Sequence, residues 1–188
     1  MKKILLLLLI CFAQNLFAQK VFTYSDFSYT IKGNNEITIT GYNGYSSSVD
    51  IPSVIDWKIV TTIGESAFSD CDSLTSITIP KSVTTIGSEA FFDCTSLTSI
   101  IIPNSVTAIG EYAFSCCDSL RSITISNSVT TIGDSAFSGC KSLIIQCNPG
   151  SYAEKYCKKN NIKCLITPDG FWGIIKKKIY KIIIYFAE

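Results

Sequence analysis

The chain has 188 residues, 47% of them apolar, no histidine and a formal net charge of +1, which leaves room for one domain of ordinary size. The absence of histidine removes Ser-His-Asp and Cys-His nucleophile pairs, His-bearing zinc sites and every imidazole acid or base. Charge is +1 over residues 1–51, −5 over 52–148 and +5 over 149–188, and an acidic middle without an arginine cluster excludes a nucleic-acid partner.

Residues 1–18 read as a secretory signal: Met1-Lys2-Lys3, an apolar run from Ile4 to Phe12 too short to span a membrane, and a cut after Ala18. Cys11 would suggest a lipoprotein, but Ile10 stands where a small residue is needed, so soluble export is expected. Residues 19–51 form the N-terminal cap and a first divergent strand. Phe27 to Ile31 and Ile37 to Thr40 alternate apolar and polar residues around Gly33-Asn34-Asn35, a β-hairpin that would shield the first edge.

Residues 52–148 keep time. Gly64, Gly87, Gly110 and Gly133 recur every 23 residues, with Val60, Val83, Val106 and Val129 four before and Ile63, Ile86, Ile109 and Ile132 just before. Downstream come Phe68, Phe91, Phe114 and Phe137, each after an alanine, then Cys71, Cys94, Cys117 and Cys140, then Leu74, Leu97, Leu120 and Leu143. A single unit of this size cannot bury its own apolar side, so the units stack and these columns form the core. After each leucine comes a short strand. Ile77 and Ile79 point inward; Ser76 and Thr78 point outward, as do Ser99, Ile101, Ser122 and Thr124 in the following units. Val83 and Ile86 anchor a second extended piece. Gly87 is expected to supply a permissive backbone for the turn into Ala90-Phe91, and that segment is expected to be a turn of α- or 3₁₀-helix.

Residues 149–165 read as a C-terminal cap. Ser151-Tyr152-Ala153-Glu154 opens a short helix through about Lys159, and Asn160-Asn161 stops it. Residues 166–188 are a basic and apolar tail that reads equally as a strand or helix folded on the cap, a membrane-surface segment with Trp172, Lys176, Lys177, Lys178 and Lys181 at the contact, or an unpacked terminus. Past the signal eight cysteines remain. The column of four is expected to be free, because stacked rungs bring thiols near one another with near-parallel Cβ directions that a bridge does not accept. Cys147, Cys157 and Cys164 lie outside the column, and a bridge among them stays open.

The unit I-P-x-S-V-T-x-I-G-x-x-A-F-x-x-C-x-x-L-x-x-I closely resembles the BspA-type, or Treponema-type, leucine-rich repeat, with residues 80–102 and 103–125 near-complete copies and the likeness extending over about 36–165. The resemblance implies an α/β repeat solenoid, short and right-handed, with a concave parallel β-sheet, here closed by the N-terminal hairpin and C-terminal helix. A right-handed parallel β-helix is the structural rival. The resemblance also implies a secreted or surface protein that binds host or cell-surface proteins, with no catalytic residues, cofactor or metal to transfer. The ligand face would be Ser76, Thr78, Ser99, Ile101, Ser122 and Thr124. Strands of about 3–4 residues stacked at ~4.8 Å give only a few hundred Å², against ~800 Å² per partner in a standard interface. Binding is therefore expected to be weak and multivalent. Two other readings stand beside it: a polysaccharide hydrolase of the parallel β-helix type acting through Glu65, Glu89, Glu111 or Asp134, and a tail-anchored envelope protein. The oligomeric state is left open.

Overall fold

The computed structural model describes residues 21–33 and 35–167. The expected signal at 1–18 and the tail contacts at Trp172, Lys176, Lys177, Lys178 and Lys181 lie outside the described residues.

The first strands are β1 (Phe22–Tyr24), β2 (Phe27–Lys32) and β3 (Glu36–Tyr42), followed by β4 (Ser48–Asp50), β5 (Val54–Ile55) and β6 (Lys58–Ile63). β1, β2 and β3 pair antiparallel in sequence, and β3 then pairs in parallel with β6. From there each coil contributes two short strands. One set is β8 (Thr85–Ile86), β10 (Ala108–Ile109) and β12 (Thr131–Ile132), which extend the β3–β6 ladder without interruption. The other set is β7 (Ser76–Thr78), β9 (Ser99–Ile101), β11 (Ser122–Thr124) and β13 (Ile144–Cys147), continued by β14 (Lys163–Ile166). The chain is a repeat solenoid of stacked parallel strands.

The third side of each coil is the Ala-Phe segment. It is not a helical turn. Phe68, Phe91 and Phe114 donate their amides to the Ala90, Ala113 and Ala136 carbonyls of the next coil at 2.8 Å each, and Asp70, Asp93 and Cys116 do the same one step further on. Alternate amides thus leave the coil to bond its neighbour, which a helix, closing its amides on itself, cannot do. Ser66, Glu89, Tyr112 and Ser135 adopt φ of 52–54° to make this possible. The left-handed residue therefore comes two positions after the glycine expected to hold it. The glycines answer another need. A Cβ on Gly110 or Gly133 would stand 2.4 Å from a backbone nitrogen of the preceding coil, so only glycine allows coils to approach this closely.

The apolar columns fill the interior. Val60, Val83, Val106, Val129, the four Ile before the glycines, the four Ala-Phe pairs and Leu74, Leu97, Leu120 and Leu143 are all buried. The Phe rings stack with centroids 5.2, 5.1 and 5.4 Å apart and interplanar angles of 16°, 7° and 4°, matching the rung repeat. Tyr42 extends the stack at one end and Tyr156 meets it edge-on at the other. Cys94 and Cys117 are buried, but Cys71 and Cys140, read as core from the sequence, are only half-buried against it, because the coils beyond them diverge from the repeat. The Cys94, Cys117 and Cys140 thiols donate to the Phe68, Phe91 and Phe114 carbonyls at 3.0–3.1 Å.

Past β13, the helix α1 (Tyr152–Asn160) is capped by Ser151, whose hydroxyl accepts the Glu154 amide, and ends at Asn161 with φ 55°. Glu154 in turn accepts the Gly150 amide and the Lys158 ammonium, each at 2.6 Å, and these hold its carboxyl below the usual range.

Candidate functional site

The β7 ladder places side chains by strict alternation: within each three-residue strand the middle isoleucine, Ile77, Ile100 or Ile123, is buried and the flanking residues face out. Parallel register sets Ser48 beside Ser76 and Asp50 beside Thr78, and Ser99, Ser122, Ile144 and Lys163 beside one another as it does Ile101, Thr124, Gln146 and Leu165; the 23-residue period joins the two runs into two outward columns. All six residues singled out in the sequence lie in these two columns. Ser76, Thr78, Ser99, Ile101 and Thr124 are exposed and Ser122 is half-buried; Ser76 Oγ donates to Ser48 Oγ at 3.0 Å.

The two columns do not form one continuous sheet. β4 pairs β7, and β9 pairs β11, but β7 and β9 are not joined as a ladder. Elsewhere the residue after the strand bonds across to the next coil: Ile51 to Thr78, Ile102 to Thr124 and Ile125 to Gln146. The period calls for the same bond from the Ile79 amide to the Ile101 carbonyl, and it is not made. At this step lies a cleft of about 640 Å³ lined by Ser76–Ile79 and Lys81 on one side and Ser99–Ser105 on the other. Ile101 stands beside it with 74% of its surface exposed, the one apolar residue of an outward trio whose neighbours are Thr78 and Thr124. Four of the six predicted residues line this cleft; Ser122 and Thr124 do not.

Two aromatic residues escaped sequence reasoning. Trp57 is 94% exposed and Tyr45 is 92% exposed. Trp57 sits at the tip of the β5–β6 hairpin, where Asp56 and Trp57 have φ of 48° and 62°, a conformation costly for a bulky residue. The Tyr29 hydroxyl donates to Asp56 Oδ2 at 2.5 Å and fastens this turn. That bond, with burial, pushes the Tyr29 hydroxyl up to about 12. The available signal was the pair Asp56-Trp57 between two apolar-polar runs, hidden because such tight turns ordinarily carry Asn-Gly.

The repeating carboxylates Glu65, Glu89, Glu111 and Asp134 are exposed and spread along the stack, Glu89 accepting the Ser66 hydroxyl at 3.3 Å. Among the described residues no group of three or more His, Cys, Asp or Glu is placed to hold a metal ion. Thr84, Thr107 and Thr130, on the other ladder, donate their hydroxyls to carbonyls of the preceding coil at 3.2–3.3 Å, so that column serves the stack.

The BspA type leucine rich repeat region, in 6 copies, matches residues 38–164. Among solved structures, a leucine-rich repeat protein from Bacteroides capillosus is 30% identical, with 66% of this chain and 97% of that one covered and a TM-score of 0.59. The T. pallidum leucine rich repeat protein is also 30% identical, covering 68% of this chain and 71% of that one at a TM-score of 0.55. None of the curated proteins matches the chain.

Proposed function

The chain belongs to the BspA-type leucine-rich repeat family, and on that premise we propose that it is a secreted or surface-exposed, non-enzymatic module that binds an extracellular or cell-surface protein. In this reading the solenoid is right-handed, the β2–β3 hairpin and α1 close its two ends, and the β7–β9–β11 side is its concave, ligand-facing side. The basic tail, through Trp172, Lys176, Lys177, Lys178 and Lys181, makes a peripheral membrane contact.

The observation that carries the proposal is the interrupted Ser/Thr face. On a face of hydroxyls a partner gains little by desolvation, since each hydroxyl must be re-bonded. Ile101 beside an open cleft gives an apolar point to bury, with Ser76, Thr78 and Ser99 around it to fix orientation. The strand face alone is too small for a tight standard interface. Tyr45 and Trp57 are of the residue types that supply most interface energy, and they would add the area the strands lack. Copies displayed together on a surface would raise weak contacts by effective concentration.

The test is capture on immobilised extracellular-matrix and plasma proteins, run with the wild type, Ile101→Asp and Trp57→Ala, beside a screen for glycan hydrolysis. The proposal expects capture that grows with clustering, falls at least tenfold with Ile101→Asp and drops with Trp57→Ala, and no glycan cleavage. Glycan cleavage lost on changing Glu89 or Glu111 would instead establish the hydrolase reading. Fusion of residues 1–18 to a reporter tests export, and liposome flotation with and without residues 170–188 tests the tail.

A further inference from the structure

Three thiols gather at the C-terminal end. Cys147 ends β13 and is buried, Cys157 lies on the buried side of α1, and Cys164 is half-buried in β14. β13 and β14 pair in parallel with Ile145 opposite Cys164. Cys147, two residues beyond Ile145, is on the same side of its strand and diagonal to Cys164. Across that diagonal the two sulfurs stand 2.8 Å apart, whereas unbonded sulfurs in contact would be farther apart and a bonded pair about 2.05 Å apart. Cys157 also reaches the Cys164 thiol, so the sequence alone leaves three pairings, and the strand register distinguishes one of them. The repeat cysteines differ in direction: Cys94, Cys117 and Cys140 aim their thiols at carbonyls of the preceding coil, while Cys147 and Cys164 aim at each other.

We propose that Cys147 and Cys164 are an oxidation site at which a disulfide-class oxidant, a small-molecule or protein disulfide, installs a bridge tying β14 to β13. Cys164, the more exposed of the two, attacks one sulfur of the oxidant as the thiolate and expels the first thiol. The Cys147 thiolate then attacks the Cys164 sulfur of this mixed disulfide and expels the second. One S–S bond forms in the protein and one breaks in the oxidant. Two electrons and two protons pass from the pair of cysteines to the two thiols released. The bond encloses all of α1 in the loop between Cys147 and Cys164. It also anchors β14, the outermost described strand of its sheet, which carries the exposed Leu165 and Ile166, the kind of apolar edge that otherwise recruits other chains.

Trypsin separates the three thiols, since Lys141, Lys155, Lys158, Lys163 and Lys176 place Cys147 on residues 142–155, Cys157 on 156–158 and Cys164 on 164–176. The full chain is held with oxidised glutathione, quenched with acid, alkylated and digested. The proposal expects 142–155 joined to 164–176, with the mass of two hydrogen atoms lost, and the same joined pair in Cys157→Ser. It also expects the oxidised wild type to melt above the reduced form, with no such difference in Cys164→Ser. All three cysteines alkylated, glutathione left on Cys164 without a joined pair, or 156–158 as the main joined peptide would each overturn it; the peptide map of the wild type decides this even if a variant does not fold.

Discussion

The two strand ladders of the coil are built from the same repeat and behave differently. On the β6–β8–β10–β12 side every step is paired, each glycine lets its coil approach the preceding one to backbone contact, and the Thr84, Thr107 and Thr130 hydroxyls are bonded to the coil before them. On the β7–β9–β11 side one step forms no ladder although the Thr98 amide still bonds the Thr75 carbonyl, an amide bond required by the period is missing, and an isoleucine points outward beside the gap. The lesson is that one side fixes the stack and leaves the other free to deviate.

This contrast can be broken from the structural side first. Phe114→Ala removes the middle ring of the stack and should cost about 3–5 kcal/mol, read as a fall in melting temperature that an intact interior column predicts and a peripheral one does not. Gly110→Ala, on the fastened ladder, drives a Cβ to 2.4 Å from the Ser88 nitrogen; the coils must part, at about 1–3 kcal/mol, and denaturant unfolding should show it. Tyr29→Phe removes the bond to Asp56 and should cost about 1 kcal/mol after allowance for the exposed carboxylate. It also changes the alkaline limb. The folded hydroxyl is raised, so its stabilisation is complete below pH 10.0 and is lost as pH rises through about 12. Wild type should therefore lose stability across that window faster than the variant. The smallest effect belongs to the other ladder. Ile101→Ser, at a residue 74% exposed, should shift stability by no more than about 0.5 kcal/mol, while lowering capture of a partner that uses the cleft. A large destabilisation there would mean that Ile101 is core.

Much of this was legible in the sequence, and for a stated reason. The period of Gly64, Gly87, Gly110 and Gly133, the Phe and Leu columns and the family likeness required the stack of parallel strands, because identical residues at identical offsets can share an interior only by translation. The Ser151–Glu154 signal located α1 to within one residue at its end. What stayed hidden depended on neighbouring coils. The Ala-Phe segment looks helical within one repeat, and only the carbonyls of the next coil, at 2.8 Å from the Phe68, Phe91 and Phe114 amides, make it a run of turns bonded to its neighbour. Gly87 looks like a turn residue until the preceding backbone is seen against it. The unpaired step between β7 and β9 has no sequence mark beyond Ile101 standing where Thr78 and Thr124 stand, and Trp57 lay in a turn whose residues break the usual pattern.

Residue-resolved amide hydrogen exchange tests the difference between the two ladders most directly. The account predicts that the Gly87, Gly110 and Gly133 amides, bonded at 2.8–2.9 Å to the preceding coil, exchange only with global unfolding, while the Ile79 amide exchanges at least about tenfold faster than those of Ile102 and Ile125 through local opening. Equal protection of Ile79, Ile102 and Ile125 would contradict it, since the cleft would then be closed by the bond it is said to lack.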